Sequence, residues 1–158
     1  MKHQTHHISA YLKKIKASNK ELTKKEHFKD LLHHLYHGEK EIESIIDAIS
    51  AGSEKTILNI PRHNKKHRGS ADTLYNNIII EFENELKVTF KHAKEQLAGY
   101  MLGQFKSGEG YNFTLIASDF INWKVVTPDV NQLDKLDTLQ EHELVLNEVT
   151  SASFTLTE

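Results

Sequence analysis

The first part of the chain shows the spacing of two amphipathic helices. From Thr23 to about His37, apolar side chains recur at i, i+3, i+4, i+7 and i+8, which places them on one face of a helix. Thr23 and Glu26 have the spacing of a capping box at its start. In a second stretch, from Glu39 to Ile49, four isoleucines share one side. We therefore expect two helices that cover the core.

The rest of the pattern predicts strands separated by a long helix. The run 56–61, TILNIP, is rich in β-forming residues, and the basic segment 62–70 after it is predicted to be a loop. Helical spacing returns over 84–106, and the apolar runs 113–119 and 121–128 indicate two strands. A crossover helix between strands implies at least one parallel pairing. The predicted fold class is α/β, with a mixed central sheet flanked by helices.

A pair of asparagines predicts a hairpin that brings acidic residues together. Asn76 and Asn77 tolerate the left-handed backbone of a two-residue turn. If they form the turn, Asp72 lies opposite Glu81, and directly opposed Cβ atoms are about 4.5–5.5 Å apart. Glu83 follows two residues later on the same face. Because buried like charges cost free energy, we expect a divalent metal ion to compensate them.

The composition excludes several classes of protein. A chain of 158 residues with 38% hydrophobic and 27% charged residues and a formal charge of −2 is typical of one soluble globular domain. With no cysteine, it has neither disulfides nor thiolate metal sites. Its start lacks the apolar run of a signal peptide, so we expect a cytoplasmic protein without a membrane partner.

The order of the candidate site residues resembles a known superfamily. Asp72, the E-x-E pair Glu81 and Glu83, and the helical pair Gln96 and Tyr100 resemble the motifs of the PD-(D/E)XK nucleases. The subset with a QxxxY helix is the most similar, namely the nuclease domains of type I restriction subunits, of combined restriction-methylation enzymes and of recombination exonucleases. The resemblance implies a restriction-endonuclease-like sheet.

The resemblance covers most of the chain and suggests how the chain is divided. Residues 23–127 form the expected nuclease core, after an N-terminal helical extension at 1–22. A polar linker and a β-prone segment at 128–158 are expected to lead into a further domain. DNA is the implied partner, together with methyltransferase, helicase or specificity domains or subunits. A dimer is also expected if both strands are cut, because each cut usually needs its own active site.

The family likeness also implies a chemistry. Asp72 and Glu81, with the backbone carbonyl of Phe82, would hold Mg²⁺ or Mn²⁺, since carboxylate and carbonyl oxygens suit these ions. The metal would generate hydroxide from a bound water and stabilise charge on the scissile phosphate. The expected function is that of a metal-dependent DNA endonuclease domain, an Mg-dependent deoxyribonuclease of a restriction or phage-defence enzyme.

One position departs from the family pattern. Glu83 stands where these nucleases usually carry a lysine. It would bind a second metal or act as the base, or else Lys91 or Lys94 would supply a displaced ammonium. The alternative is a catalytically degenerate domain that binds nucleic acid without cleaving it. A third reading is a structural domain whose carboxylates are simply exposed.

Other candidates have two readings each. Glu26 either joins the metal site, as a first-helix glutamate does in many relatives, or only caps its helix. Gln96 and Tyr100 either orient the phosphate or the metal-bound water, or pack on a half-buried face. The basic residues either neutralise DNA phosphates or are solvated. The predicted nucleic-acid-binding residues are Arg62, Lys65, Lys66, Arg68, Lys91 and Lys94.

Overall fold

The computed structural model describes residues 2–50 and 54–155, in which four α-helices and seven strands are seen. The helices are α1 (Lys2–Ala17), α2 (Glu21–Leu35), α3 (Lys40–Ile49) and α4 (Leu86–Lys106), with a 3-10 helix at Val130–Lys135. The strands are β1 (Lys55–Arg62), β2 (Lys65–Ala71), β3 (Thr73–Tyr75), β4 (Ile78–Phe82), β5 (Thr114–Ser118), β6 (Asn122–Pro128) and β7 (Leu146–Ser153).

The central sheet is mixed. Its strand order is β3-β4-β5-β6-β7, and β1 and β2 form a separate antiparallel pair. Strands β4 and β5 are parallel, whereas the other neighbours in the central sheet are antiparallel. Helix α4 provides the crossover that a parallel pair requires. The predicted α/β class, with a mixed sheet and helices beside it, is confirmed.

Helix α2 begins earlier than its pattern predicts. Its N-cap residue is Lys20, which makes no side-chain capping hydrogen bond, so the predicted capping box of Thr23 and Glu26 is wrong. Thr23 lies inside the helix. The Glu26 carboxylate pairs with Lys29 Nζ at 3.2 Å, toward the next turn of the helix rather than back to its start.

The basic segment 62–70 is not a loop, and that prediction is wrong. Lys65–Ala71 forms β2, which pairs with β1 around a tight turn at His63 and Asn64, whose φ angles are 51° and 57°. A Cβ at Gly69 would meet the side chain of Tyr100, so this strand face packs against α4. Because its side chains are mostly basic, the segment does not have the apolar pattern of a strand. Its successive residues nevertheless alternate between the face packed on α4 and the outer face.

Apolar residues on the two faces of the central sheet enter different cores. Ile80 and Phe82 of β4 pack with α1 and α2, while Ile79 packs with α4 and the β1–β2 hairpin. This alternation is the two-residue period of a strand buried on both faces. Helix α1 belongs to the first core, where the Tyr11 hydroxyl donates a hydrogen bond to the Phe120 carbonyl.

The end of the described chain also packs on the sheet. Strand β7 pairs with β6 from Pro128↔Leu146 to Asn122↔Ser153. The polar-looking segment between these strands buries leucines in the core shared with α4, at positions 136, 139 and 144. Among the described helices, none is long and apolar enough to cross a membrane.

Candidate functional site

The candidate site forms where β3 stops short of its neighbour. Thr73↔Ile80 is the last paired position of β3 and β4, while Glu81 and Phe82 continue and pair only with β5. The Asp72 side chain takes the position that a longer β3 would occupy, because its Oδ2 accepts a hydrogen bond from the Phe82 N–H at 2.8 Å. Asp72 is thereby fixed beside the end of β4.

Glu81 is a buried carboxylate on the α4 side of the sheet. It follows Ile79 on that face, and only 6% of the residue is exposed. Its Oε2 is buried and has no hydrogen-bond partner in the described structure. Burial, followed by the negative charges of Asp72, Glu83 and Glu21, raises the pKa of Glu81 to about 9, although a hydrogen bond from the Asp72 N–H opposes the change.

Asp72 shares this strained electrostatic environment. Burial raises the pKa of Asp72 above its ordinary value, and the charge of Glu54 adds to the rise. The hydrogen bond from Phe82 and the positive charge of Lys25 act in the opposite direction. Two neighbouring acids with raised pKa values are typical of a functional site.

The first turn of α2 adds the carboxylate of Glu21, which was not predicted from the sequence. Burial raises the pKa of Glu21, and the charges of Asp72 and Glu83 raise it further, while Lys25 and Lys24 lower it. Glu21 therefore lies within electrostatic range of the hairpin acids. It occupies the first-helix position for which the sequence suggested Glu26.

A signal for Glu21 was present in the sequence. Glu21 and Lys25 continue the apolar stripe of Phe28 toward the start of α2 at spacings of four and three residues. Charged residues in line with a buried stripe are rare unless they are paired. The predicted helix begins at Thr23, so Glu21 lies outside it, and the continuation of the stripe by Glu21 and Lys25 is not recognised.

Gln96 and Tyr100 border the carboxylates from α4. The Tyr100 hydroxyl donates a hydrogen bond to the Ser70 carbonyl at 2.9 Å, two residues before Asp72. Burial, with the charges of Glu81 and Asp72, raises the pKa of Tyr100, and a hydrogen bond with Gln96 opposes the rise. Gln96 Oε1 is buried without a partner in the described structure. Tyr100 therefore ties the end of β2 to α4.

Three of the predicted residues lie away from this cluster. Glu26 is exposed, paired with Lys29, and about 140° around the helix from Glu21. Lys91 and Lys94 are about 140° to 200° around α4 from Gln96. They line a cavity with Glu141, His142 and the segment 144–146 instead. The structure therefore does not bring either lysine to the carboxylates.

The predicted DNA-binding residues of the hairpin differ from one another. Arg62 is already paired, because its Nη2 and Nε lie 2.9 and 3.2 Å from Glu141 Oε2. Lys65, Lys66 and Arg68 are exposed. Arg68 precedes Asp72 by four residues, about 13 Å along extended chain. Lys66 and Arg68 lie on the strand face opposite Gly69, so they point away from α4.

The donor set fits a magnesium-type ion rather than a closed metal cage. Within residues 2–50 and 54–155, no group of three or more His, Cys, Asp or Glu side chains is arranged to hold a metal ion. Mg²⁺ is usually bound by one or two carboxylates, with waters and substrate phosphate completing its shell. Asp72 and Glu81 supply two carboxylates, and the unpartnered Oε2 of Glu81 leaves a ligand atom available.

Comparison of the chain with protein-family models, curated proteins and solved structures finds no match. The likeness to PD-(D/E)XK nucleases therefore comes from the order of the motif residues in the sequence. To the three motif carboxylates the structure adds that of Glu21, which lies within electrostatic range of Asp72, Glu81 and Glu83. A cluster of one buried and three half-buried carboxylates is a candidate functional site, and its chemistry is that of an acidic cation site.

Proposed function

We propose that the chain is a metal-dependent DNA endonuclease domain of a restriction or phage-defence enzyme. The observation that carries the proposal is the Asp72–Phe82 hydrogen bond, which sets the Asp72 carboxylate beside the buried carboxylate of Glu81, whose Oε2 has no partner in the described structure. The net reaction adds water across one P–O ester bond of the DNA backbone. Its products are a phosphate monoester and a free hydroxyl.

Asp72, Glu81 and the Phe82 carbonyl would hold Mg²⁺ or Mn²⁺. The backbone of Phe82 supports this assignment, because N–H and C=O of one strand residue point to the same side and its N–H points at Asp72. When bound, the ion supplies an activated water and stabilises charge on the phosphate. Gln96, with its unpartnered Oε1, would orient that water, and Tyr100 would hold the strand before Asp72.

The charge balance supports a divalent cation. Five carboxylates contribute to the cluster, those of Glu21, Glu54, Asp72, Glu81 and Glu83, and Lys24 and Lys25 provide two ammonium groups in range of it. Three negative charges remain uncompensated when all seven groups are ionised. One Mg²⁺ or Mn²⁺ would neutralise two of them, whereas burial of the bare charges costs several kcal/mol.

The biological setting follows from the same proposal. Nothing in the described site reads base edges, so the target sequence would be chosen by specificity, methyltransferase or helicase domains or subunits. Cutting both strands would bring two copies of the chain together. A DNA substrate is consistent with a cytoplasmic protein.

The proposal is tested by incubating the chain with supercoiled plasmid and Mg²⁺ or Mn²⁺. We expect nicked and linear products, and a loss of roughly 100-fold or more in rate for D72A and for E81A. Two glutamates of α2 provide a matched pair. E21Q should slow cleavage about tenfold or more, whereas E26Q, whose carboxylate lies outside the cluster, should cleave as the wild type does.

The competing function, DNA binding without cleavage, is suggested by Glu83. Since the family lysine is absent, a degenerate domain would bind DNA and leave it intact. Gel-shift binding without any cleavage, in both metals and at several pH values, would favour that reading. Cleavage that survives D72A and E81A would instead mean a contaminating nuclease and would remove the support for this site.

A further inference from the structure

Lys25, one of two buried lysines of α2, has no role so far beyond its share in the charge balance of the carboxylates. Lys25 is 3% exposed, and lysine is almost never buried to this extent unless it is paired. Its Nζ lies 5.5 Å from the centroid of the Phe82 ring. Phe82 is the residue whose N–H binds Asp72, so the ammonium group lies next to the end of β4.

The charge of Lys25 reaches two acids of the site. It acts on Asp72 and on Glu21, and in both it favours the ionised carboxylate. Glu21 and Lys25 are four residues apart on one helix, the spacing at which two side chains share a face. Lys25, Glu21 and Asp72 therefore belong to one cluster that joins α2 to the edge of the hairpin.

Its neighbour in sequence is held differently. Lys24 Nζ donates a hydrogen bond to the Asn84 carbonyl at 2.8 Å, which ties α2 to the loop after β4. Among the described residues, the Lys25 ammonium makes neither a hydrogen bond nor an ion pair within 4 Å. An ammonium group has three N–H donors and no acceptor. Those of Lys25 remain available to an anionic ligand.

We propose that Lys25 supplies from α2 the fixed positive charge that the E-x-E segment lacks, and that it contacts and positions the scissile phosphate. This inference rests on the proposed nuclease function and names a residue that acts in it. A phosphodiester brings one negative charge to a cluster of carboxylates, so it needs a compensating cation besides the metal. Lys91 and Lys94 lie on the other side of α4 from Gln96 and do not supply it.

A near-isosteric substitution separates this role from simple packing. We expect K25M to lower kcat on the order of 100-fold at saturating Mn²⁺, the size typical for loss of one preorganised donor, with KM for DNA changed less than threefold. Mn²⁺ affinity, measured by calorimetry without DNA, should stay the same or rise, because a positive charge has been removed. The matched control is K29M on the same helix, which should cleave like the wild type.

The other possible outcomes distinguish failure of the proposed function from failure of the role assigned to Lys25. If the wild type does not cleave, the proposed function fails and this inference fails with it. If the wild type cleaves and K25M cleaves within threefold of it, the inference alone is overturned. A parallel loss of Mn²⁺ binding and turnover in K25M would assign Lys25 to the architecture of the metal site and also overturn it. Should K25M not fold, K25R decides: turnover within tenfold of the wild type supports the proposal, and turnover as weak as that of E81A refutes it.

Discussion

At the scale of single residues, the molecule concentrates its electrostatic strain at one place. Asp72, Glu81 and Glu21 come from two parts of the sequence, and burial raises the pKa of each. Burial of carboxylates normally costs free energy that a fold avoids. The strain is therefore understandable if a ligand relieves it, and the unpartnered Glu81 oxygen is where relief is most needed.

Glu81 should make the stability of the metal-free protein depend on pH. Its pKa is about 9 in the folded state and 4.5 as its ordinary value, so between these values the folded state holds a proton that the unfolded state has lost. The free energy of unfolding should therefore fall as pH rises from 4.5 to 9, by at most about 1.4 kcal/mol per unit. Urea denaturation in EDTA across this range measures the slope.

The matched variant for this prediction is E81Q. Glutamine resembles the protonated carboxyl and does not titrate, so E81Q should lose the slope and exceed the wild type in stability above pH 5. Saturating Mn²⁺ should reduce the difference by stabilising the wild type alone. Identical pH slopes in the two proteins would show that Glu81 is not the group responsible.

At the scale of elements, the sequence predicted the helices and strands that have a clear apolar periodicity. It did not predict the strand that depends on pairing with a neighbour. The helices α2, α3 and α4, and strands β5 and β6, lie within a few residues of their predicted positions because their apolar stripes are uninterrupted. Strand β2 was missed because Lys65, Lys66 and Arg68 are poor strand formers, and its ladder with β1 depends on a partner strand rather than on its own composition.

The docking of the β1–β2 hairpin on α4 depends on a glycine, Gly103, which has no side chain at the point of closest contact. A Cβ at Gly103 would lie 2.6 Å from the Leu58 carbonyl oxygen, which is backbone and cannot turn aside. We expect G103A to lose about 1 to 2 kcal/mol of stability, because overpacking exceeds the gain in helix propensity. Urea denaturation provides the measurement.

Gly99, one turn earlier on α4, is the control. The atom that its Cβ would meet, at 2.7 Å, is Glu141 Oε2, the end of a side chain that can turn aside at the cost of its contacts with Arg62. G99A should therefore be close to neutral or mildly stabilising, since alanine favours a helix. If G103A proved as stable as G99A, the hairpin would not be held by this close backbone contact.

At the scale of the whole molecule, the net charge of −2 means that the proposed DNA substrate would have to be bound by a local basic surface. The exposed residues Lys66 and Arg68 lie on the outer face of β2, which leads directly to Asp72. Arg62 is neutralised by Glu141 and contributes little free charge. The six residues predicted to bind nucleic acid are thus unequal in the folded protein.

We expect K66A/R68A to weaken DNA binding and to make its salt dependence shallower. Each lost phosphate contact lowers the slope of log K against log salt by about 0.9, so the double variant should lose roughly 1.8. Fluorescence anisotropy with a labelled duplex between 50 and 200 mM salt, in Ca²⁺ to suppress cleavage, measures the slope. R62A should leave it unchanged, and an equal effect in R62A would place the DNA elsewhere.

How much of the candidate site was predictable also depends on scale. Asp72, Glu81, Gln96 and Tyr100 could be found because motif order and a short hairpin determine their separation, and the Tyr75↔Ile78 register agrees with the predicted turn. Glu21 and Lys25 could not be placed in the same way. They reach the hairpin through the packing of α2 against the sheet, a contact across some fifty residues of chain that no local pattern encodes.

The parallel pairing of β4 with β5 also has a consequence for the order of events during synthesis. Phe82 gains its neighbour Ser118 only after the whole of α4 has left the ribosome, because that helix lies between them in the chain. Until then, the end of β4 lacks the neighbouring strand that helps to bury Glu81. The proposed nuclease centre would therefore be completed late and would leave the DNA of the cell intact while the polypeptide is still being made.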